Sequence, residues 1–297
     1  MKNQYVADIG DYGKYALLRA FSDAGIKVGV NWYFTEDDDT NDGHFTNYLN
    51  DEKMRRYQPE IFDLLRLVAN KPKKTIEDIM DNNVIPGALF YSEQIILNGT
   101  SAERLQQRLE WFERSMVALK DADLIFMDPD NGLLEGKTNG RKDAEKYILP
   151  EEIERYFLAG HNVVYYCHKG RRKFDDWQSY KSIMFEKIPT AKPTVLTYHK
   201  GTQRSYIFLI HEQDFAKYRR IIERFEDRWN RIFTEEYTEK GDVAHQTVGN
   251  ELTVERSDGT TVTVSQCADG KIKIRDSRKN NSYSLLSADY FCDCISY

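Results

Sequence analysis

Asp123-Leu124-Ile125-Phe126-Met127-Asp128-Pro129-Asp130-Asn131-Gly132 is the stretch from which the fold is read. Four apolar residues bounded by acid, proline and glycine predict a buried parallel strand that stops abruptly. In open α/β sheets, ligands gather where strands end at their carboxyl side. Two carboxylates and an amide at such a place cost folding energy unless they hold something: a metal, a cation or a substrate amine. The alternative is an Asp-Pro turn in which Asn131 and Gly132 supply uncommon dihedrals.

Working outward, the residues just upstream predict a helix from Ser101 to about Leu119. Thr100 and Glu103 make a capping box, and Leu105, Leu109, Phe112, Met116 and Leu119 form one apolar stripe. Downstream, Pro150-Glu151-Glu152 opens a helix that Gly160 stops, and Asn162-Val163-Val164-Tyr165-Tyr166-Cys167 is a strand ending at His168. A helix around 176–187 follows, then strands at 194–199 and 204–211. The gap between them, Lys200-Gly201-Thr202-Gln203, suits only an antiparallel hairpin. Toward the N-terminus, Tyr15, Leu18 and Phe21 predict a helix over 11–24 and Gly25 its end. A strand at 27–34, a polar loop at 35–43, a mostly helical insertion at about 44–82 and a strand around Ala88-Leu89-Phe90-Tyr91 complete this half.

Helix–strand alternation of this kind predicts a doubly wound, Rossmann-like α/β sheet closed by the hairpin. A long helix over 213–233 is expected to pack back on it. After the linker Thr238-Glu239-Lys240-Gly241 the hydrophobic period changes to two, at Leu252–Val254, Thr261–Val264 and Lys271–Ile274, with turns at 257–259 and 268–270. Two domains are therefore expected: 1–238, α/β with the insertion, and 242–297, a small β meander. A meander that small is marginal alone and is expected to dock on the larger domain, a second subunit or a partner protein.

The 297 residues carry a net charge of −6, which argues against binding nucleic-acid phosphates over the whole surface but leaves room for a local basic groove. No apolar stretch reaches the roughly 18 residues of a membrane span. The opening Met1-Lys2-Asn3-Gln4-Tyr5 is unlike a signal peptide, and the four cysteines Cys167, Cys267, Cys292 and Cys294 lack zinc-like pairs. A cytoplasmic location with reduced thiols is the expectation.

Four clusters carry chemistry. Tyr5, Asp8, Asp11, Tyr12 and Lys14 stand at the first helix, where the plain alternative is an N-cap aspartate beside a solvated lysine. Asp37, Asp38, Asp39 and Asp42 follow the first strand, as cation ligands or as solvated loop acids. Asp128, Asp130 and Asn131 end the central strand. His168 with Lys169, Arg171 and Arg172 ends the next one, as a phosphate or nucleic-acid contact or as an exposed basic loop.

The segment Asn3-Gln4-Tyr5-x-x-Asp8-x-x-Asp11-Tyr12-x-Lys14-Tyr15-x-Leu17-Leu18-Arg19 resembles the opening of a family of bacterial proteins from which no activity carries over. In that family it is followed by Trp-x-x-Thr, DPDNG and Y-x-H segments, here Trp32 to Thr35, Asp128 to Gly132 and Tyr166 to His168. The resemblance covers about residues 3–210. More distantly, the chain is similar to class I methyltransferases of the ribosomal RNA adenine N6 type, which close their sheet with an antiparallel hairpin and carry Asp/Asn-Pro-Pro-Tyr after the fourth strand. That similarity implies S-adenosylmethionine as cofactor and Asp128 as acceptor of a base amine. Here Asp130-Asn131 replaces the second proline and the stacking aromatic, and no Gly-x-Gly follows the first strand.

Three readings follow. The first is an amine-directed, methyltransferase-like enzyme acting on RNA, DNA or a nucleotide. In it Asp128 accepts from the amine, Asn131 orients it and Tyr5 or Tyr12 stacks, while Lys14, Lys169, Arg171 and Arg172 hold phosphates. The second is a phosphodiesterase or related hydrolase using Mg²⁺ or Mn²⁺ on Asp128 and Asp130, with Asp8 or Asp11 as a further ligand and His168 moving a proton. The third is non-catalytic binding of nucleic acid or protein.

Overall fold

In the computed structural model, Leu124–Met127 is a central strand of one seven-stranded sheet. The described residues are 1–38, 43, 45–136, 143–230 and 232–236, together with four strands of the C-terminal part, 252–255, 261–266, 272–276 and 283–286. Asp39, Asp42, the expected linker and meander turns, Cys267, Cys292 and Cys294 lie outside them.

In chain order the elements are α1 (Ile9–Asp23), β1 (Val28–Asn31), α2 (Glu52–Arg55), α3 (Pro59–Ala69), α4 (Ile76–Asp81), β2 (Leu89–Tyr91), α5 (Ser101–Ala118) and β3 (Leu124–Met127). Then come the short β4 (Gly132–Leu133) and β5 (Tyr147–Ile148), α6 (Pro150–Leu158), β6 (Asn162–His168), α7 (Phe174–Lys187), β7 (Lys192–Tyr198), β8 (Arg204–Ile210), α8 (Glu212–Arg228) and β9 (Phe233–Glu236). The sheet order is β2-β1-β3-β6-β8-β7-β9. The pairs β2–β1, β1–β3 and β3–β6 are parallel, and β8 lies antiparallel between β6 and β7. This is a Rossmann-like α/β sheet with the closing hairpin that the short connection, residues 199–203, required.

Alternate residues of each strand serve opposite faces. Phe126, Val164, Tyr206 and Phe208 join one core with Tyr15, Leu18 and Phe21 of α1 and Ile222 and Phe225 of α8. Ile125, Tyr165 and Ile207 join the other with Trp111 and Phe112 of α5, Tyr156 of α6 and Trp177 of α7. Helices thus cover both faces, which is why the strands read as unbroken apolar runs.

Two expected elements differ. The helix predicted over 213–233 ends at Arg228, and Phe233–Glu236 turns back as β9, antiparallel to β7. Trp229 and Phe233 are buried on either side of the reversal, and β9 satisfies the otherwise open edge of β7. On α5 the buried positions are Arg108, Trp111, Phe112 and Ser115, whereas Leu105 and Leu109 are 40% and 45% exposed. Trp111 packs on Tyr33 and Tyr91, and the Arg108 guanidinium grips Glu152, so these contacts and not the leucine stripe set the helix rotation.

Beyond Glu239 the chain forms a second compact unit. Strands β10 (Leu252–Glu255), β11 (Thr261–Gln266), β12 (Ile272–Asp276) and β13 (Tyr283–Leu286) make an antiparallel four-stranded sheet of their own. The fourth strand was not foreseen in the hydrophobic pattern.

Candidate functional site

Asp8 caps α1. Its Oδ1 accepts from the Gly10 N–H at 2.8 Å and its Oδ2 from the Phe45 N–H at 3.1 Å, so helix start and insertion are tied together. Asp11, one turn in, accepts from the Ala7 N–H and the Tyr15 hydroxyl, both at 3.1 Å through Oδ2. Lys14 follows three residues later, and its Nζ lies 2.7 Å from Asp11 Oδ1 and 2.7 Å from Asp128 Oδ2. The rings of Tyr15 and Trp32 flank the ammonium at 5.0 and 5.3 Å. The plain alternative of a capping Asp11 beside a solvated Lys14 does not hold: both are buried in an ion triad, and Asp8 takes the capping role.

Burial alone would push the Lys14 pKa down, but Asp11 and Asp128 outweigh it and hold the ammonium protonated well past its usual range. Asp128 is shifted up from the ordinary carboxylate range by burial, opposed by Lys14 and the Met1 ammonium. Lys14 was expected to hold a substrate phosphate. With two carboxylates already on it, that role is corrected: it fixes Asp128.

Asp130 lies beside the Met1 ammonium, 2.7 Å from Oδ1, and accepts from the Thr35 hydroxyl at 3.1 Å. Asn131 is anchored through its backbone N–H to the Lys146 carbonyl, and among the described residues its side chain makes no hydrogen bond. Asp37 accepts from the Gln4 N–H, and Asp38 pairs with Lys2, so the part of the acidic loop that is described holds residues 2–4 in place.

Asp8, Asp11, Lys14, Asp128, Asp130, Asn131, His168 and Tyr5 all line one cleft of about 300 Å³, between the first turn of α1 and the carboxyl ends of β3 and β6. Their convergence follows from the fold, because strand ends of one parallel sheet share an edge. Tyr12 does not join them. Its ring packs on Tyr48, Phe62 and Trp229, and its hydroxyl donates to the Met54 carbonyl, which makes it a core residue. Lys169, Arg171 and Arg172 are absent from the cleft lining, where only Gly170 of that loop appears. Arg171 is exposed, and Arg172 lies over the Tyr180 ring at 4.0 Å. The basic side chains of the loop, expected to hold a phosphate, therefore do not line this cleft.

Arg204 and Tyr206 of β8 line the cleft and were not anticipated. Their place follows from the β6–β8 register, which sets His168 opposite Arg204 and Tyr166 opposite Tyr206. A Cβ at Gly10 would meet Nη1 of Arg204 at 1.4 Å, so a side chain there would have to displace the guanidinium.

The residues after β1 do not fit S-adenosylmethionine as a Rossmann crevice would. Trp32 and Tyr33, both fully buried, stand where a glycine turn lets that cofactor approach, and Tyr33 adopts φ 44°. The Tyr33 carbonyl accepts from the Met1 ammonium at 3.0 Å, and the Thr35 N–H donates to the Met1 carbonyl at 2.9 Å, so the segment is covered by protein. A divalent cation fits no better. Asp128 and Asp130 already face ammonium groups, and no cluster of three or more His, Cys, Asp or Glu suited to a metal occurs among the described residues.

Comparison with protein-family models, with curated proteins and with solved structures finds no match. Function has to be argued from the cleft.

Proposed function

We propose that this chain is a nucleotide- or nucleic-acid-directed protein that reads the exocyclic amine of a base in the cleft between α1, β3 and β6. One observation carries the reading: Asp128, Pro129 and Asn131 line the same small cleft as the rings of Tyr5, Phe45 and Tyr166 and the imidazole of His168. Lys14 holds Asp128 by Oδ2 and leaves the carboxylate a fixed acceptor, preorganised for a donor such as an amine. Aromatic rings give a base faces on which to stack. The volume falls at the small end of ligand sites, the size of a nucleoside or nucleotide.

Binding without methyl transfer is the version favoured by the buried Trp32 and Tyr33 beside β1. Metal-dependent hydrolysis is disfavoured by the cations already paired with Asp128 and Asp130.

The test is calorimetric titration with adenosine, cytidine, inosine and uridine on the wild type and on Asp128→Asn. Amine-bearing nucleosides are expected to bind about tenfold or more tightly than their keto counterparts, a difference near 1.4 kcal/mol. Asp128→Asn is expected to erase that preference. Equal affinities in the wild type, or a preference that survives the substitution, would remove the reading.

A further inference from the structure

The part of the cleft lining that comes from β8 contains donors without hydrogen-bond acceptors. Arg204 is 9% exposed, and among the described residues its guanidinium makes no hydrogen bond. Its ion-pair partner, Asp8 Oδ1, stands 3.6 Å away, beyond hydrogen-bond length, and that carboxylate is already engaged by the backbone N–H groups of Gly10 and Phe45. The Nε of Arg204 is buried with no partner, and so is the hydroxyl of Tyr206, a residue only 1% exposed. Residues 204 and 206 are two apart on one strand and share the face turned to α1.

A guanidinium carries five donors, and leaving buried donors unmatched costs about 1–3 kcal/mol each, more for charged groups. A ligand that supplies acceptors offsets such a cost. The complement of a planar cationic fork and a phenol is an oxyanion, and phosphate matches the fork in two-point geometry. The first turn of the 15-residue α1 lies against the same spot, with Gly10 directly beneath Nη1, and adds the positive end of its dipole. Thr202 and Gly170 close this end of the cleft.

We infer that Arg204 and Tyr206 form a phosphate subsite, and that the ligand is a free 5′-mononucleotide bearing an amino base, with amine at Asp128 and phosphate at Arg204. This inference rests on the amine-reading proposal for the base end. A free nucleotide fits better than a strand because the lining includes four carboxylates, Asp8, Asp11, Asp128 and Asp130. One arginine matches one phosphate, whereas a strand would bring further phosphates past uncompensated acids.

The full chain is titrated with AMP, IMP, adenosine, inosine and a 5′-phosphorylated single-stranded RNA tetramer. Arg204→Gln, Arg204→Lys and Tyr206→Phe are measured beside the wild type, with melting curves to confirm folding. AMP is expected to bind at least tenfold more tightly than adenosine. Arg204→Gln should abolish that advantage, Arg204→Lys should recover part of it, and Tyr206→Phe should lower AMP affinity by a few-fold more than adenosine affinity. An AMP-to-adenosine ratio near one, or a ratio untouched by Arg204→Gln, overturns the subsite even if adenosine is still preferred to inosine. If AMP and IMP bind equally and Arg204→Gln weakens both, the amine reading fails and the phosphate subsite stands. A tetramer binding more tightly than AMP overturns the assignment to a free nucleotide. Should Arg204→Gln fail to fold, the wild-type ratio and Tyr206→Phe decide the matter.

Discussion

Replacing Lys14 by methionine keeps the volume of the side chain and deletes its charge, leaving Asp11 and Asp128 buried side by side with no cation between them. Both carboxylates lie 2.7 Å from Nζ in the wild type, and both side chains are about 5% exposed. Breaking a buried ion pair by removing one partner costs about 3–5 kcal/mol. For a domain of this size each kcal/mol lowers the melting temperature by about 2–4 °C, so a loss of roughly 6–20 °C at pH 7 is expected. The sign with pH follows from Asp128, whose carboxyl is already shifted up by burial and rises further once Lys14 is gone. A carboxyl whose folded pKa is raised favours the folded state when protonated, and that contribution is lost as pH climbs through the folded pKa. The deficit of Lys14→Met relative to wild type should therefore shrink as pH falls from 7 toward the carboxylate range. Circular-dichroism melts of both proteins across that range measure it, and the double variant Lys14→Met/Asp128→Asn should regain part of the loss at pH 7. A deficit under about 1 kcal/mol at pH 7 would put the pair in the class of weak surface bridges, and the triad argument would fail. A deficit that does not change with pH would refute it equally.

Further outcomes follow from single contacts. Trp111→Ala should cost about 3–5 kcal/mol, while Leu105→Ala on the same helix should stay within about 0.5 kcal/mol, measured by denaturant melts. Comparable losses would return α5 to the rotation that its leucine stripe suggests. Tyr12→Phe removes a hydrogen bond to the Met54 carbonyl and should cost about 1 kcal/mol with no change in nucleotide affinity; altered affinity would place Tyr12 in the site after all. Gly10→Ala drives a methyl group into Arg204 and should weaken AMP binding by tenfold or more while adenosine binding falls less. Equal losses on both ligands would detach Arg204 from the phosphate. Cys167, whose thiol burial pushes up to about 12, should resist thiol reagents at pH 8 until the protein unfolds, as read by peptide mapping, and rapid labelling of the native chain would contradict its burial.

Local pattern alone located most of the elements, because strand runs and helix caps are encoded within a few residues. Thr100 and Glu103 announced the start of α5, and the five residues between β7 and β8 left no geometry but an antiparallel turn. The same logic placed Asp128, Asn131 and His168 at one edge, since strands of a parallel sheet end together. What local pattern does not contain is which side-chain partner comes from far along the chain. Lys14 and Asp128 are 114 residues apart, and only their packing shows that a lysine expected to hold substrate is a buried counter-ion. Trp111 overrode the leucine stripe, Tyr12 turned into the core, and Trp229 and Phe233, packed on Tyr12 and Tyr198, cut α8 short, each through contacts with residues that no local window includes. Arg204 and Tyr206 became site residues through the β6–β8 register and through Gly10 letting α1 approach. Periodicity decides where elements lie, because it reflects which face meets water. The rotation of each element, and the partner of each buried charge, are decided by long-range packing and by the need to satisfy every polar group removed from solvent.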